Sequence, residues 1–190
     1  GKIMEAILKR ELVVNKTVCR IIGIMAFVIL TSLGAFVRIP LPFTPVPITL
    51  QTFFVSLSGA ALGGVLGGVS QMSYVLLGIS GLPIFSKGGS GLPYLFGPTG
   101  GYLLGFILSS LFIAQFIKYS RNFFTTLLIF CLGDFILLSC GVIWLKVVLG
   151  YSLSKVLLIG FLPFIPGDLA KASAAAVVYL RVKNRLKEIF

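Results

Sequence analysis

Asp168 and Lys171 stand three residues apart in the last apolar stretch of this 190-residue chain. At spacing i, i+3 they share one helix face and can meet. A carboxylate beside an ammonium offers acceptor sites and three donors in one place. That is equipment for gripping a polar ligand, and equally for mutual neutralisation. Asp134 is a further charge inside an apolar run, and Gln51 opens another run. An Asp or Lys within a membrane span costs ~2.5–3.5 kcal/mol on insertion scales and marks either function or a buried pair. For Asp134 a helix–helix hydrogen bond is the plainer role. The chain has no His, which excludes Ser–His and Cys–His catalysis and His-ligated metals. Cys19, Cys131 and Cys140 lie inside apolar segments and form no CxxC pair. They read as reduced packing residues, so no disulfide, metal site, cofactor or catalytic residue is expected.

The elements that must position these groups are set by the solvent. Hydrophobic residues make up 57% of the chain and charged residues 11%, with a mean hydropathy of +1.08; soluble domains carry about 25% charged residues. No single-core domain of this size buries so much apolar surface, so the solvent is lipid. A water-soluble enzyme, a nucleic-acid binder and a disordered chain are excluded. The net charge of +11 sits in short clusters between apolar runs, which is a topology signal.

Apolar stretches cover about 18–37, 48–82, 100–117, 123–149 and 156–180. The second would be roughly 50 Å long as one helix, against ~30 Å of hydrocarbon. The glycines between Gly59 and Gly68 predict a tight reversal there, giving six spans in an all-α membrane protein. They also suit close helix packing of the GxxxG type. Charge agrees with an even count. Lys2, Lys9, Arg10, Lys16 and Arg20 precede the first span, Lys118 and Arg121 separate the fourth and fifth, and Arg181, Lys183, Arg185 and Lys187 follow the last. The positive-inside rule puts these eleven in the cytoplasm, with Arg38, Lys87, Lys146 and Lys155 outside. Residues 1–190 thus form one membrane domain, with cytoplasmic tails at 1–17 and 181–190. The basic N-terminal run resembles a signal peptide, but no small-x-small cleavage site precedes the polar loop, so a retained first helix is expected.

Two external loops stand out. Residues 38–47 hold four prolines, a stiff segment no helix continues through. Residues 81–99 are rich in glycine and aromatics and poor in charge, so this loop is expected to pack down as a lid, with Gly88, Gly89 and Gly91 allowing the bend. Pro163 and Pro166 end any helix arriving from Val156 and start a new one with Asp168 in its first turn, where the helix dipole favours a carboxylate. Asp168 lies 13 residues before Arg181, about 20 Å of helix, hence in the outer third of the membrane. A broken helix at that depth lines a cavity. Gln51 enters at similar depth. Trp144 and Lys146 suit the outer interfacial belt, and Trp144 also suits a pocket wall.

Three motifs in order carry a resemblance. They are Phe43-Thr44-Pro45-Val46-Pro47-Ile48-Thr49-Leu50-Gln51-Thr52, Gly97-Pro98-Thr99-Gly100-Gly101-Tyr102-Leu103-Leu104-Gly105-Phe106 and Leu162-Pro163-Phe164-Ile165-Pro166-Gly167-Asp168-Leu169-Ala170-Lys171. Together they closely resemble the signatures of the BioY family, the biotin-binding S components of energy-coupling-factor (ECF) transporters. The match runs over nearly the whole chain from about Ile21. The resemblance implies a six-helix S-component fold in a bacterial cell membrane and an extracellular-side biotin pocket. It also implies a transmembrane T component and two ABC-type ATPases as partners, since the chain has no GxxxxGK[ST] of its own. Carried over, Asp168 and Lys171 contact biotin, Gln51 and the loop around Ser86 and Lys87 help close the site, and Thr52, Tyr102 and Trp144 join its surroundings. S components often carry an AxxxA-type docking face on the first helix; here the nearest patterns are Gly23-x-x-Ala26 and Thr31-x-x-x-Ala35.

Biotin suits the inventory. Its ureido ring has two N–H donors and a carbonyl acceptor, which an ionised Asp and a Lys satisfy together. Its tail carboxylate needs a cation or backbone N–H groups, and Lys87 amid glycines offers both; the reverse pose, with Lys171 on the carboxylate, is equally allowed by the sequence alone. An S component for another vitamin would share the topology but lack these motifs. An intramembrane hydrolase would need a nucleophile–base pair or metal ligands.

Overall fold

The structure, a computed structural model, describes residues 16–189. The expected inner-side cations Lys2, Lys9 and Arg10, and the side chain of Lys187, lie outside the described residues. In chain order the elements are α1 (Lys16–Phe36), β1 (Arg38–Ile39), β2 (Ile48–Thr49), α2 (Gln51–Leu62), α3 (Leu66–Ile79), α4 (Leu92–Leu95), α5 (Gly100–Phe116), α6 (Phe123–Leu149), α7 (Leu153–Gly160) and α8 (Ile165–Ile189). Four helical segments are long and apolar enough to cross a membrane, and α2 and α3 are shorter apolar helices. Large apolar side chains point outward along them, among them Ile22, Phe124, Ile143 and Val147. In water such surface would aggregate; in lipid it is the ordinary solvated face. The chain is a membrane protein.

The reversal falls where the glycines predict it. Helix α2 ends at Leu62, and Gly63 and Gly64 turn the chain with φ of 64° and 51°, angles that other residues avoid. The remaining glycines of the run serve contact inside the bundle. A Cβ on Gly59 would sit 2.5 Å from the Ser110 carbonyl oxygen, and one on Gly67 would sit 2.7 Å from the Gly59 Cα. The GxxxG spacing therefore lets α2, α3 and α5 approach one another. In the bundle α5 packs against α6 on one side and against α2 and α3 on the other, while α8 lies on α2 and α6. On α1, Thr31 and Ala35 are fully buried. Gln71 on α3 donates to Thr31 Oγ1 at 3.3 Å and to Ser58 Oγ at 3.0 Å. The Thr31-x-x-x-Ala35 face is thus consumed inside the protein.

Helix direction gives the bundle two unlike ends. One carries the 38–49 and 80–99 loops and the α6–α7 link. The other carries the Gly63–Gly64 turn, the α5–α6 link and the last turns of α8. The Pro-rich loop is drawn shut by a two-residue antiparallel ribbon pairing Arg38 with Thr49 and Ile39 with Ile48. The 80–99 loop is anchored rather than dangling. Fully buried Phe85 sits edge-on to Tyr74 at 5.5 Å and stacks on Tyr94 at 4.8 Å, over a gap that only Gly78 leaves open, since a Cβ there would meet the Phe85 ring at 2.1 Å. The last hydrophobic stretch breaks as the prolines predict: α7 stops at Gly160, a single 3-10 turn holds Leu162–Phe164, and α8 restarts with Asp168 in its first turn.

Candidate ligand-binding site

The restart of α8 brings Asp168 against α2. Its Oδ1 pairs with Lys171 Nζ at 2.6 Å and accepts from Thr52 Oγ1 at 3.1 Å. Lys171 Nζ also donates to the Thr49 carbonyl at 2.9 Å. The ribbon that closes the Pro-rich loop fixes that carbonyl, so sequence features 122 residues apart meet at one ammonium. Gln51 continues the polar line. Its Nε2 donates to Tyr74 Oη at 2.7 Å, and Tyr74 donates to the Ile84 carbonyl at 3.0 Å, tying α2 through α3 to the 80–99 loop.

These groups line one cavity. Thr49, Gln51, Thr52, Ser86, Tyr102, Asp168 and Lys171 contribute to its wall, and Val46, Phe106, Leu137, Leu138 and Phe164 make it mainly apolar. A few polar groups in an apolar recess is the usual composition of a small-molecule site. Two residues of this wall carry a buried oxygen with no hydrogen-bond partner among the described residues, Asp168 at Oδ2 and Ser86 at Oγ. A buried acceptor left unsatisfied costs about 1–3 kcal/mol, more when charged, so the cavity is set to receive a donor. The cavity measures about 50 Å³, room for a few waters. A larger guest requires this wall to give, and the two outer loops contribute Val46, Pro47, Ser86, Tyr94 and Thr99 to it. Burial pushes the Tyr94 hydroxyl above its ordinary value, with Ser86, Thr99 and Arg38 close by; it is a neutral O–H at physiological pH.

Of the residues singled out in the sequence, Asp168, Lys171, Gln51, Thr52, Ser86 and Tyr102 come together on this wall. Lys87 does not reach it. It is exposed, with φ 64°, and lines a shallow depression immediately outside, which shares Pro47, Ser86, Tyr94 and Thr99 with the inner cavity. Trp144 is also off the wall. Its Nε1 donates to the Gly97 carbonyl at 2.9 Å and its Cβ fills the space over Gly101, so it clamps the end of the loop onto α6. Asp134 is buried with Oδ1 unpartnered among the described residues. It lines a separate recess with Asp168, and Ser56 and Lys171 lie near it. Sequence reasoning missed Tyr74, Tyr94, Thr99 and Phe164. A tyrosine inside an apolar helix needs a partner for its hydroxyl, and that signal could have found Tyr74.

A buried ion pair with an open acceptor, under a loop cover at one end of a lipid-facing helical bundle, defines a membrane-embedded solute-binding protein. Comparison with known proteins gives the particular group. The model of the BioY family matches residues 8–188. The chain is 41% identical over 158 residues to the biotin transporter BioY of Thermotoga maritima, covering 83% of this chain and 92% of that protein. It is 37% identical over 158 residues, with the same coverage, to the probable biotin transporter BioY of Pyrococcus horikoshii. In structure it resembles the S component for biotin from an ECF-type ABC transporter, with a TM-score of 0.84, 30% identity, and coverage of 90% of this chain and 94% of that one. The chain belongs to the BioY family. It is a transporter component and not an enzyme, and the intramembrane hydrolase reading falls away.

Proposed function

We propose that this chain is the biotin-specific S component of an ECF-type transporter. It is a single six-span domain with both termini cytoplasmic that takes biotin from the outer side. A transmembrane T component and two ABC-type ATPases supply the energy. The observation that supports the ligand best is that two residues of one cavity wall, Asp168 and Ser86, each hold an unpartnered buried oxygen. Asp168 Oδ2 can only accept, so it suits a ureido N–H, and the Ser86 hydroxyl can donate to the ureido carbonyl. Lys171 already serves Asp168 and the Thr49 carbonyl. Drawing it onto a carboxylate would strand Asp168, so the ureido ring belongs at the ion pair and the tail carboxylate toward the outer depression that Lys87 borders. Thr52 and Gln51 keep the carboxylate and the α2–loop link in register.

Titrating purified protein with biotin, then competing with riboflavin and thiamine, tests this. Saturable biotin binding that neither competitor displaces is the expected result. Displacement by either vitamin, or no binding at all, overturns the assignment.

A further inference from the structure

The end of the bundle opposite the ion pair carries a second, larger cleft of about 420 Å³, bounded by the Gly63–Gly64 turn, the α5–α6 link and the last turns of α8. We propose that this cleft holds the phosphate-bearing headgroup of an anionic phospholipid. Lys118 and Lys183 stand on its rim from different elements, with Ser120 between the helices, while Ala60, Ala114 and Ile117 make its inner wall apolar. Charge above and hydrocarbon below is the profile of a glycerophospholipid, and basic recesses between membrane helices bind acidic headgroups.

Two further observations point to a ligand there. Tyr179 is only 5% exposed and lines the cleft, and its hydroxyl makes no hydrogen bond to another described residue. A phosphate oxygen would supply one. Nor do the described residues supply these cations with a carboxylate. Among the residues with described side chains the sole ion pair is Lys171 with Asp168, at the far end, and Lys118 has only the face of Tyr119, 5.2 Å away. The level is right too, because exposed Phe116, Tyr119 and Phe124 flank the α5–α6 link beside the cleft, as aromatics do at the headgroup layer. A soluble phosphate would leave the apolar wall bare, which favours the lipid.

Delipidated protein is titrated with phosphatidylglycerol, phosphatidylcholine and inorganic phosphate in detergent, and retained lipid and melting temperature are read. Phosphatidylglycerol is expected to bind and raise the melting temperature, with phosphatidylcholine and phosphate inert. The variant Lys118→Met/Lys183→Met should bind phosphatidylglycerol about 30-fold more weakly, and Tyr179→Phe less weakly so. Lys146→Met/Lys155→Met, at the other end, should match the parent. All variants should keep the ligand affinity of the opposite site, which separates loss of the cleft from misfolding. Equal binding of the two lipids, stabilisation by phosphate alone, or an equal loss in the Lys146/Lys155 variant overturns the proposal.

Discussion

At the scale of single residues, Asp168 and Lys171 can be separated from a mere structural pair because stability and binding respond differently. Lys171→Met leaves a buried carboxylate without its cation and should destabilise by about 3–5 kcal/mol. Asp168→Asn/Lys171→Met removes both charges and should recover most of that stability, since replacing a buried pair is often neutral. If Asp168 accepts a ureido N–H, the double variant still loses ~10–10² in affinity, one charge-assisted hydrogen bond at ~1.5–3 kcal/mol. Melting temperature and biotin affinity on the same samples decide it, and a stable double variant with near-native affinity refutes ligand contact. These two residues were legible in the sequence because charge inside an apolar helix is costly wherever the helix lies. Ser86 was legible only through the resemblance, because a serine in a glycine-rich loop looks solvated. Its burial follows from Phe85 next to it, whose anchoring beneath the loop depends on a gap at Gly78 that no local pattern encodes.

At the scale of elements, the loop over residues 80–99 is shaped by its glycines. Gly88 and Gly91 have φ of 69° and 80°, so side chains there are strained whatever the space. Gly89 plays a different part: its backbone is ordinary, and a Cβ on it would strike the Tyr94 ring at 2.2 Å. Gly88→Val/Gly91→Val should therefore slow both entry and release of biotin, whereas Phe85→Ala, which removes the anchor, should speed release and cost ~3–5 kcal/mol of stability. Stopped-flow rates check both, and unchanged rates in both variants count against the loop as cover. The helices, the Gly63–Gly64 reversal and the Pro-broken start of α8 were readable from apolar run lengths, glycines and prolines. The short ribbon was not, because a pairing of two residues on each strand leaves no alternation to detect. Nor was the inward turn of the Thr31–Ala35 face, which depends on Gln71 of α3 reaching across to it.

At the scale of the whole molecule, the proposed orientation rests on the distribution of charge. Described cations at the end opposite the ion pair are Lys16, Arg20, Lys118, Arg121, Arg181, Lys183 and Arg185, against Arg38, Lys87, Lys146 and Lys155 at the other. With Cys19, Cys131 and Cys140 replaced by Ala, single cysteines at Lys87 and Lys183 should label from opposite sides of intact cells, the first from outside. Labelling of both from one side refutes the six-span topology. The bundle's walls are also of unequal height. Helix α1 has 21 residues and α6 has 27, but α3 has 14, about 21 Å against ~30 Å of hydrocarbon. Exposed Val69, Met72 and Leu76 put that short helix on the perimeter. A helix that short leaves a mismatch that lipid meets by thinning, at a fraction of a kcal/mol per Å. A membrane protein laid against α3 would cover that short face and relieve the mismatch.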